Sequence, residues 1–189
     1  MRRLAVYCGS SMGADPAFAD NARALGRAMA AQGIGLVYGG GRLGLMGVVA
    51  DAVLEAGGEA YGVIPQALVD LEVAHTGLTE LHLVANMHER KALMTDLTDA
   101  FVAIPGGIGT LDELFEAWSW NALGYHAKPF VLLQVDGFWD GLIAFIDRAT
   151  DAGFLSAARR DQLLVARTPD EAIEMLDDAA AAATLGMVW

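Results

Sequence analysis

The sequence predicts an α/β fold: a doubly wound parallel sheet with helices on both faces, in a single domain spanning residues 1–189. Three observations predict it. Short apolar runs alternate with helical patterns along the chain, which implies right-handed crossovers within one sheet. Most runs are continuously apolar, as strands are when both faces of a parallel sheet are covered. Apolar residues make up 54 % of the chain and charged residues 19 %, enough to bury one sizeable core.

The expected strands are Leu4–Cys8, Gly35–Tyr38, Ala60–Ile64, Leu81–Ala85, Ala100–Ile104 and Phe130–Val135, with a weaker one at Leu163–Ala166. The helices between them have readable ends. Asp15-Pro16 supplies an N-cap with proline at the first helical position, and Gly33 closes that helix. Leu45–Glu55 ends at Gly57-Gly58. Asn86 followed by Glu89 forms a capping-box pattern that opens a helix running to about Leu97. Thr110–Leu123 ends at Gly124, and Phe138–Thr150 ends near Gly153. A last helix spans Pro169–Ala183, with an alanine-rich end that is expected to fray. The sequence shows no linker, internal repeat or second core.

Charge and cysteine content narrow the function classes. The net charge is −12 with 12 Lys+Arg, and no basic run exceeds two residues. A nucleic-acid or membrane-surface binder needs a basic face to displace counterions, so both partner classes are excluded. A small anion can still bind where the few cations converge. Cys8 is the single cysteine, which rules out an intrachain disulfide and fits a reducing compartment. It reads as a small buried residue ending an apolar run. The run after Met1-Arg2-Arg3 stops at Gly9 and is too short for a signal peptide, and no segment approaches a membrane span. The expected location is the cytoplasm.

Three glycine-rich turns follow strands: Cys8-Gly9-Ser10-Ser11, the run Tyr38 to Gly47, and Pro105-Gly106-Gly107-Ile108-Gly109-Thr110. All fall at the carboxyl edge of the sheet, where open α/β folds bind ligands. Each exposes backbone N–H groups, and two lead directly into helix N-termini, which favour anions. A phosphate site is therefore expected. Gly39-x-Gly41-x-x-Gly44 matches the dinucleotide fingerprint, but the pattern follows the second strand and lacks an acidic residue at the end of the next one. No Gly-Lys-Ser/Thr follows any turn, so a P-loop is absent.

Thr110 is expected at or near the N-cap of its helix, with Glu113 about one turn, ~5.4 Å, further along the same face. A phosphate held at the amide end would set an attached ribose near Glu113. The same residues also satisfy a capping box, Thr-x-x-Glu. Arg90 and Lys91 sit near the start of the Asn86 helix, where cations oppose the helix dipole at about 0.3–1 kcal/mol each. Two adjacent cations there, in so acidic a chain, point to an anionic ligand; Lys91 and Lys128 are the only lysines. His88 reads as a surface or capping histidine or as a general acid–base. Leu114, Phe115, Trp118 and Trp120 read as core or subunit contact before base-stacking platform.

Met87-His88-Glu89-Arg90-Lys91, followed by Pro105-Gly106-Gly107-Ile108-Gly109-Thr110-Leu111-Asp112-Glu113, resembles the paired signature of the LOG family, the cytokinin riboside 5′-monophosphate phosphoribohydrolases long mislabelled as lysine decarboxylases. The resemblance runs from the Cys8 turn to about Phe154. It implies a Rossmann-like fold, a homodimer, no metal or organic cofactor, and release of free base and ribose 5-phosphate from a nucleoside 5′-monophosphate, with AMP as a further substrate. Carried over by position, Arg90 and Glu113 would be the catalytic pair. Lys91 and the segment Gly107, Ile108, Gly109, Thr110, Leu111 and Asp112 would bind substrate, with Ser10, Gly40 and Gly41 from the other two turns. Glu72 falls where the family has a substrate-contacting glutamate, although Asp70-Leu71-Glu72-Val73 departs from the family's surroundings. Ser119 stands where the family commonly has threonine and retains the hydroxyl.

The competing readings are a non-catalytic nucleotide-binding protein on the same fold, a pyridoxal-phosphate decarboxylase and a dinucleotide-dependent oxidoreductase. The Arg90–Glu113 pair favours the hydrolase. A decarboxylase needs a Schiff-base lysine, and only Lys91 and Lys128 are present.

Overall fold

A computed structural model describes residues 1–69 and 73–184. Among the described residues, seven parallel strands form one sheet: β1 (Arg3–Tyr7), β2 (Gly35–Tyr38), β3 (Ala60–Pro65), β4 (Glu80–Val84), β5 (Ala100–Ala103), β6 (Phe130–Leu133) and β7 (Leu163–Ala166). Their spatial order is β4-β3-β2-β1-β5-β6-β7. The chain winds outward from β1 in one direction through β4, then returns to β1's other side at β5. That reversal between β1 and β5 is the switch point of the sheet.

Successive side chains on a strand point to opposite faces, and both faces here are apolar. Leu4, Val6, Leu36 and Tyr38 pack with Leu25 and Met29 of α1 (Pro16–Ala31), Val49 and Val53 of α2 (Gly44–Glu55), and Ile173 and Leu176 of α7 (Pro169–Thr184). Ala5, Tyr7, Val37, Phe101, Phe130 and Leu132 pack with Met94 of α3 (Met87–Leu97), Leu114 and Trp118 of α4 (Ile108–Ala122), and Ile146 of α5 (Asp140–Asp151). The continuous apolar runs follow directly from this double coverage. β4 differs because it is an edge strand, and Leu83 on it is exposed.

The helix ends follow their capping chemistry. The Asp15 carboxylate accepts from Ala17 N at 2.9 Å, and Asn86 Oδ1 accepts from Glu89 N at 3.0 Å. Three features were not expected from sequence. A 3₁₀ turn occupies Gln66–Leu68, a short helix α6 spans Ala157–Asp161, and α4 begins at Ile108. Ser156 caps α6 by accepting from Arg159 N. No helix among the described residues is long and apolar enough to cross a membrane.

Candidate active site

The three glycine turns meet at the switch point. Gly9 N donates to Pro105 O at 3.1 Å, and Leu45 N donates to Gly9 O at 3.0 Å, so the first turn is tied to the other two. The approach is close: a Cβ on Gly106 would lie 2.8 Å from Gly9 N and would strike the Thr110 hydroxyl. Between the turns opens a cleft of about 260 Å³. Cys8, Gly9 and Ser10 line it from the first turn and Gly39 and Met46 from the second. The third side is Gly107, Ile108, Gly109, Thr110, Asp112 and Glu113, and Arg90 projects from α3.

Arg90 reaches the cleft because α3 starts where it does. Asn86 caps Glu89 N, and Glu89 reaches back past the cap: its Oε2 accepts from Ala85 N at 2.9 Å and its Oε1 from Asn86 Nδ2 at 3.0 Å. Arg90 is therefore in the first turn or so, with its side chain 4 % exposed. Its Nε donates to Val63 O at 3.1 Å and its Nη2 to Gly39 O at 2.9 Å. These are carbonyls at the carboxyl edge of the sheet, and they offset the unfavourable position of a cation at a helix start. Gly39 makes the arrangement possible, because a Cβ there would fall on the guanidinium.

α4 carries the acidic partner. Its N-cap is Gly107, with no side-chain cap. This corrects the expected start at Thr110: Thr110 is the third helical residue, so Thr110 and Glu113 do not form a capping box. The first amides of α4 have no acceptor within the helix, as at any helix start, and they border the cleft. Thr110 is buried, and its Oγ1 has no hydrogen-bond partner. Glu113 stands one turn deeper and lines the same cleft as Arg90. Both charges act on Cys8. Burial pushes its thiol well above the usual range, Glu113 raises it further and Arg90 opposes the shift, so the sulfur stays protonated.

Other expected residues lie elsewhere. Lys91 Nζ donates to Glu116 Oε2 at 2.5 Å and to Asp112 Oδ2 at 3.2 Å, and it does not line the cleft. Burial works against its charge, but these two carboxylates outweigh it and raise the ammonium's pKa. Leu111 is half-buried against the core, and Ser119 is exposed further along α4. Gly40 and Gly41 are buried and bind protein instead: Gly40 O accepts from His75 N at 2.9 Å, and Gly41 bridges Ala74. Glu72 lies outside the described residues. His88 is exposed, and Trp118 is a core residue against Phe130, with ring centroids 5.6 Å apart. Sequence reasoning missed the Gly39 carbonyl and the apolar lining from Met46, Leu68 and Met87. Gly39 opens a glycine run whose pattern suggests a phosphate cradle, and no periodicity marks the other three.

The family described as "Possible lysine decarboxylase" matches residues 46–176. The cytokinin riboside 5′-monophosphate phosphoribohydrolase LOG of Oryza sativa subsp. japonica is 45 % identical over 188 residues, covering 100 % of this chain and 78 % of that protein. The chain belongs to the LOG family. The cytokinin riboside 5′-monophosphate phosphoribohydrolase of Rhodococcoides fascians is 44 % identical over 173 residues, covering 91 % of this chain and 87 % of that protein. The same fold occurs in a molybdenum cofactor binding protein of Rippkaea orientalis, at TM-score 0.72 and 23 % identity over 94 % of this chain and 96 % of that one. Met87 and Arg90 of α3, and Gly107, Ile108, Gly109, Thr110, Asp112 and Glu113 at the start of α4, line one cleft. The decarboxylase wording finds no lysine to support it there. Lys91 is held by two carboxylates, and Lys128 donates to Thr95 O beside a groove at the opposite edge of the sheet.

Proposed function

We propose that this LOG-family chain hydrolyses the N-glycosidic bond of a nucleoside 5′-monophosphate, releasing free base and ribose 5-phosphate. Cytokinin riboside monophosphates and AMP are its substrates. One observation carries the reading: a buried arginine from α3 and a carboxylate from α4 line one cleft at the start of α4.

The phosphate binds at the amide end of α4, at Gly107, Ile108, Gly109 and the Thr110 hydroxyl, with Ser10 facing it across the cleft. This sets the ribose against Glu113. Breaking the C1′–N bond sends its electron pair to the base and leaves positive charge on the ribose ring, an oxocarbenium-like transition state. The Glu113 carboxylate stabilises that charge more than it stabilises the neutral sugar, which lowers the barrier. It also takes a proton from the water that adds to C1′, and the departing base gains a proton. Arg90, fixed by two carbonyls, holds phosphate or ribose oxygens with a geometry that lysine does not reproduce. Water is the only co-reactant, so the chemistry calls for no cofactor.

We further read the chain as one cytoplasmic domain that forms a homodimer. The single sheet with both faces covered supports the first part, the lone free cysteine is compatible with the second, and the exposed Ile108, Leu123 and Tyr125 along and beyond α4 support the third.

The test is a base-release assay with AMP, isopentenyladenosine monophosphate and the matching nucleosides. Wild-type protein is expected to cleave the nucleotides and nearly spare the nucleosides. Glu113→Gln is expected to abolish release while AMP binding stays measurable. Equal turnover of nucleoside and nucleotide, or an active Glu113→Gln, would overturn the reading.

A further inference from the structure

The two helices that supply the reactive pair are joined by a second set of charges immediately beside it. Arg90 is followed by Lys91 on α3, and Glu113 is flanked on α4 by Asp112 and Glu116. The Lys91 ammonium bridges Glu116 at 2.5 Å and Asp112 at 3.2 Å. Its side chain is 12 % exposed and that of Glu116 22 %, whereas Asp112 is 54 % exposed, so the Lys91–Glu116 contact is the sheltered one. Glu116 Oε1 is buried without a hydrogen-bond partner, which leaves Lys91 as the cation that makes burial of this carboxylate tolerable. Lys91 O also accepts from the Thr95 hydroxyl, one helical turn on, at 2.9 Å.

We infer that Lys91 is a positioning residue: its bridge to Glu116 and Asp112 locks α3 against α4 and so sets the separation between the Arg90 guanidinium and the Glu113 carboxylate. The inference rests on the proposed hydrolase reading for its effect on turnover. It departs from the expectation that Lys91 binds the nucleotide. A lysine ligating the phosphate would need a free ammonium in the cleft, and this one does not line the cleft and is committed to Glu116 behind it and to Asp112 at its rim. The arrangement also explains why two adjacent cations stand near one helix start in so acidic a chain: Arg90 serves the cleft, and Lys91 serves the joint behind it. A loosened joint would displace the reactive groups while leaving the amide end of α4 able to hold phosphate, so the defect falls on kcat.

The experiment compares Lys91→Met, Glu116→Gln and the double variant for AMP kcat, KM and denaturation midpoint. Each single variant is expected to lower kcat by about 10–100-fold, the size of effect a misplacement of about 1 Å produces, with KM changed less than about threefold. The double variant is expected to be no worse than either single, and the same non-additivity should appear in the denaturation midpoints. If Lys91→Met does not fold, Glu116→Gln carries the test alone. A raised KM with kcat retained in Lys91→Met, or a Glu116→Gln variant with unchanged or improved AMP turnover, would overturn the brace and make Lys91 an anion ligand. Additive midpoints would overturn it independently of any activity. Wild-type protein that releases no base would remove the hydrolase reading beneath it instead, a failure read in a different assay.

Discussion

Gly39→Ala tests the site through the backbone rather than through a reactive side chain. Gly39 does not have a positive φ, so alanine is compatible with its backbone. The added methyl, however, would fall on Arg90 Nη2 and lie 3.1 Å from Arg90 Cζ and 3.3 Å from Met46 Sδ. The guanidinium has little room to yield, because it is buried and held by Gly39 O at 2.9 Å and Val63 O at 3.1 Å. Restoring van der Waals separation requires it to retreat by roughly 1 Å, which breaks the Gly39 bond. A hydrogen bond to a charged group contributes about 1.5–3 kcal/mol, so stability should fall by about that amount. A reactive group displaced by about 1 Å costs about 100-fold in rate. The assay is AMP base release alongside a denaturation curve. A folded Gly39→Ala protein with wild-type kcat would refute the claim that this carbonyl fixes a guanidinium the reaction needs.

Two further predictions separate binding and folding roles. Thr110→Val should raise KM for AMP about tenfold, the value of a hydrogen bond to a charged group, while stability stays within about 0.5 kcal/mol, because the buried hydroxyl has no protein partner to lose; unchanged KM, or a large loss of stability, would count against it. Asp99 supplies a pH test: burial opposes its charge, but the Arg3 and Arg2 N–H groups, at 2.9 and 2.7 Å, together hold its carboxyl below the usual carboxylate range. Its folded pKa is thus below the unfolded value of about 3.9, so its contribution is complete above that pH and is lost as pH falls through the folded value. The difference in melting temperature between wild type and Asp99→Asn should therefore shrink as pH is lowered from about 6 to 3, and a difference independent of pH would reject this account.

The strands were legible because a doubly covered parallel sheet imposes continuous apolar runs, a local property of the sequence. The three turns could be placed at one edge for the same reason, since parallel strands share a carboxyl end. The start of α4 was misread because Thr-x-x-Glu imitates a capping box, whereas Gly107 caps the helix through its backbone alone. The position of Lys91 near a helix start and the family resemblance both point to an anion. The carboxylates it pairs with, Asp112 and Glu116, come from the next helix and become visible only when α3 and α4 pack side by side. Gly40 and Gly41 show the same limit. Their backbone groups pair with the segment around Ala74 and His75, a tertiary contact that no glycine pattern encodes.

The overall charge of −12 opposes a nucleotide's approach, so affinity for a phosphate has to be local. Charges more than a Debye length away, about 8 Å at physiological salt, contribute little at the cleft, which leaves the outcome to its lining. There the balance is mixed. Arg90 and the uncapped amides of α4 favour an anion, whereas Asp112 and Glu113 oppose one. Lys91 sits against Asp112 and Glu116, reducing the negative field from those two without entering the cleft. Glu113 lines the space beyond the amide end, and in the proposed reaction its negative charge lies where the ribose would become positive. Binding and catalysis then depend on one geometric quantity, the offset along α4 between its first turn and Glu113, which the helix itself fixes at about 5.4 Å per turn.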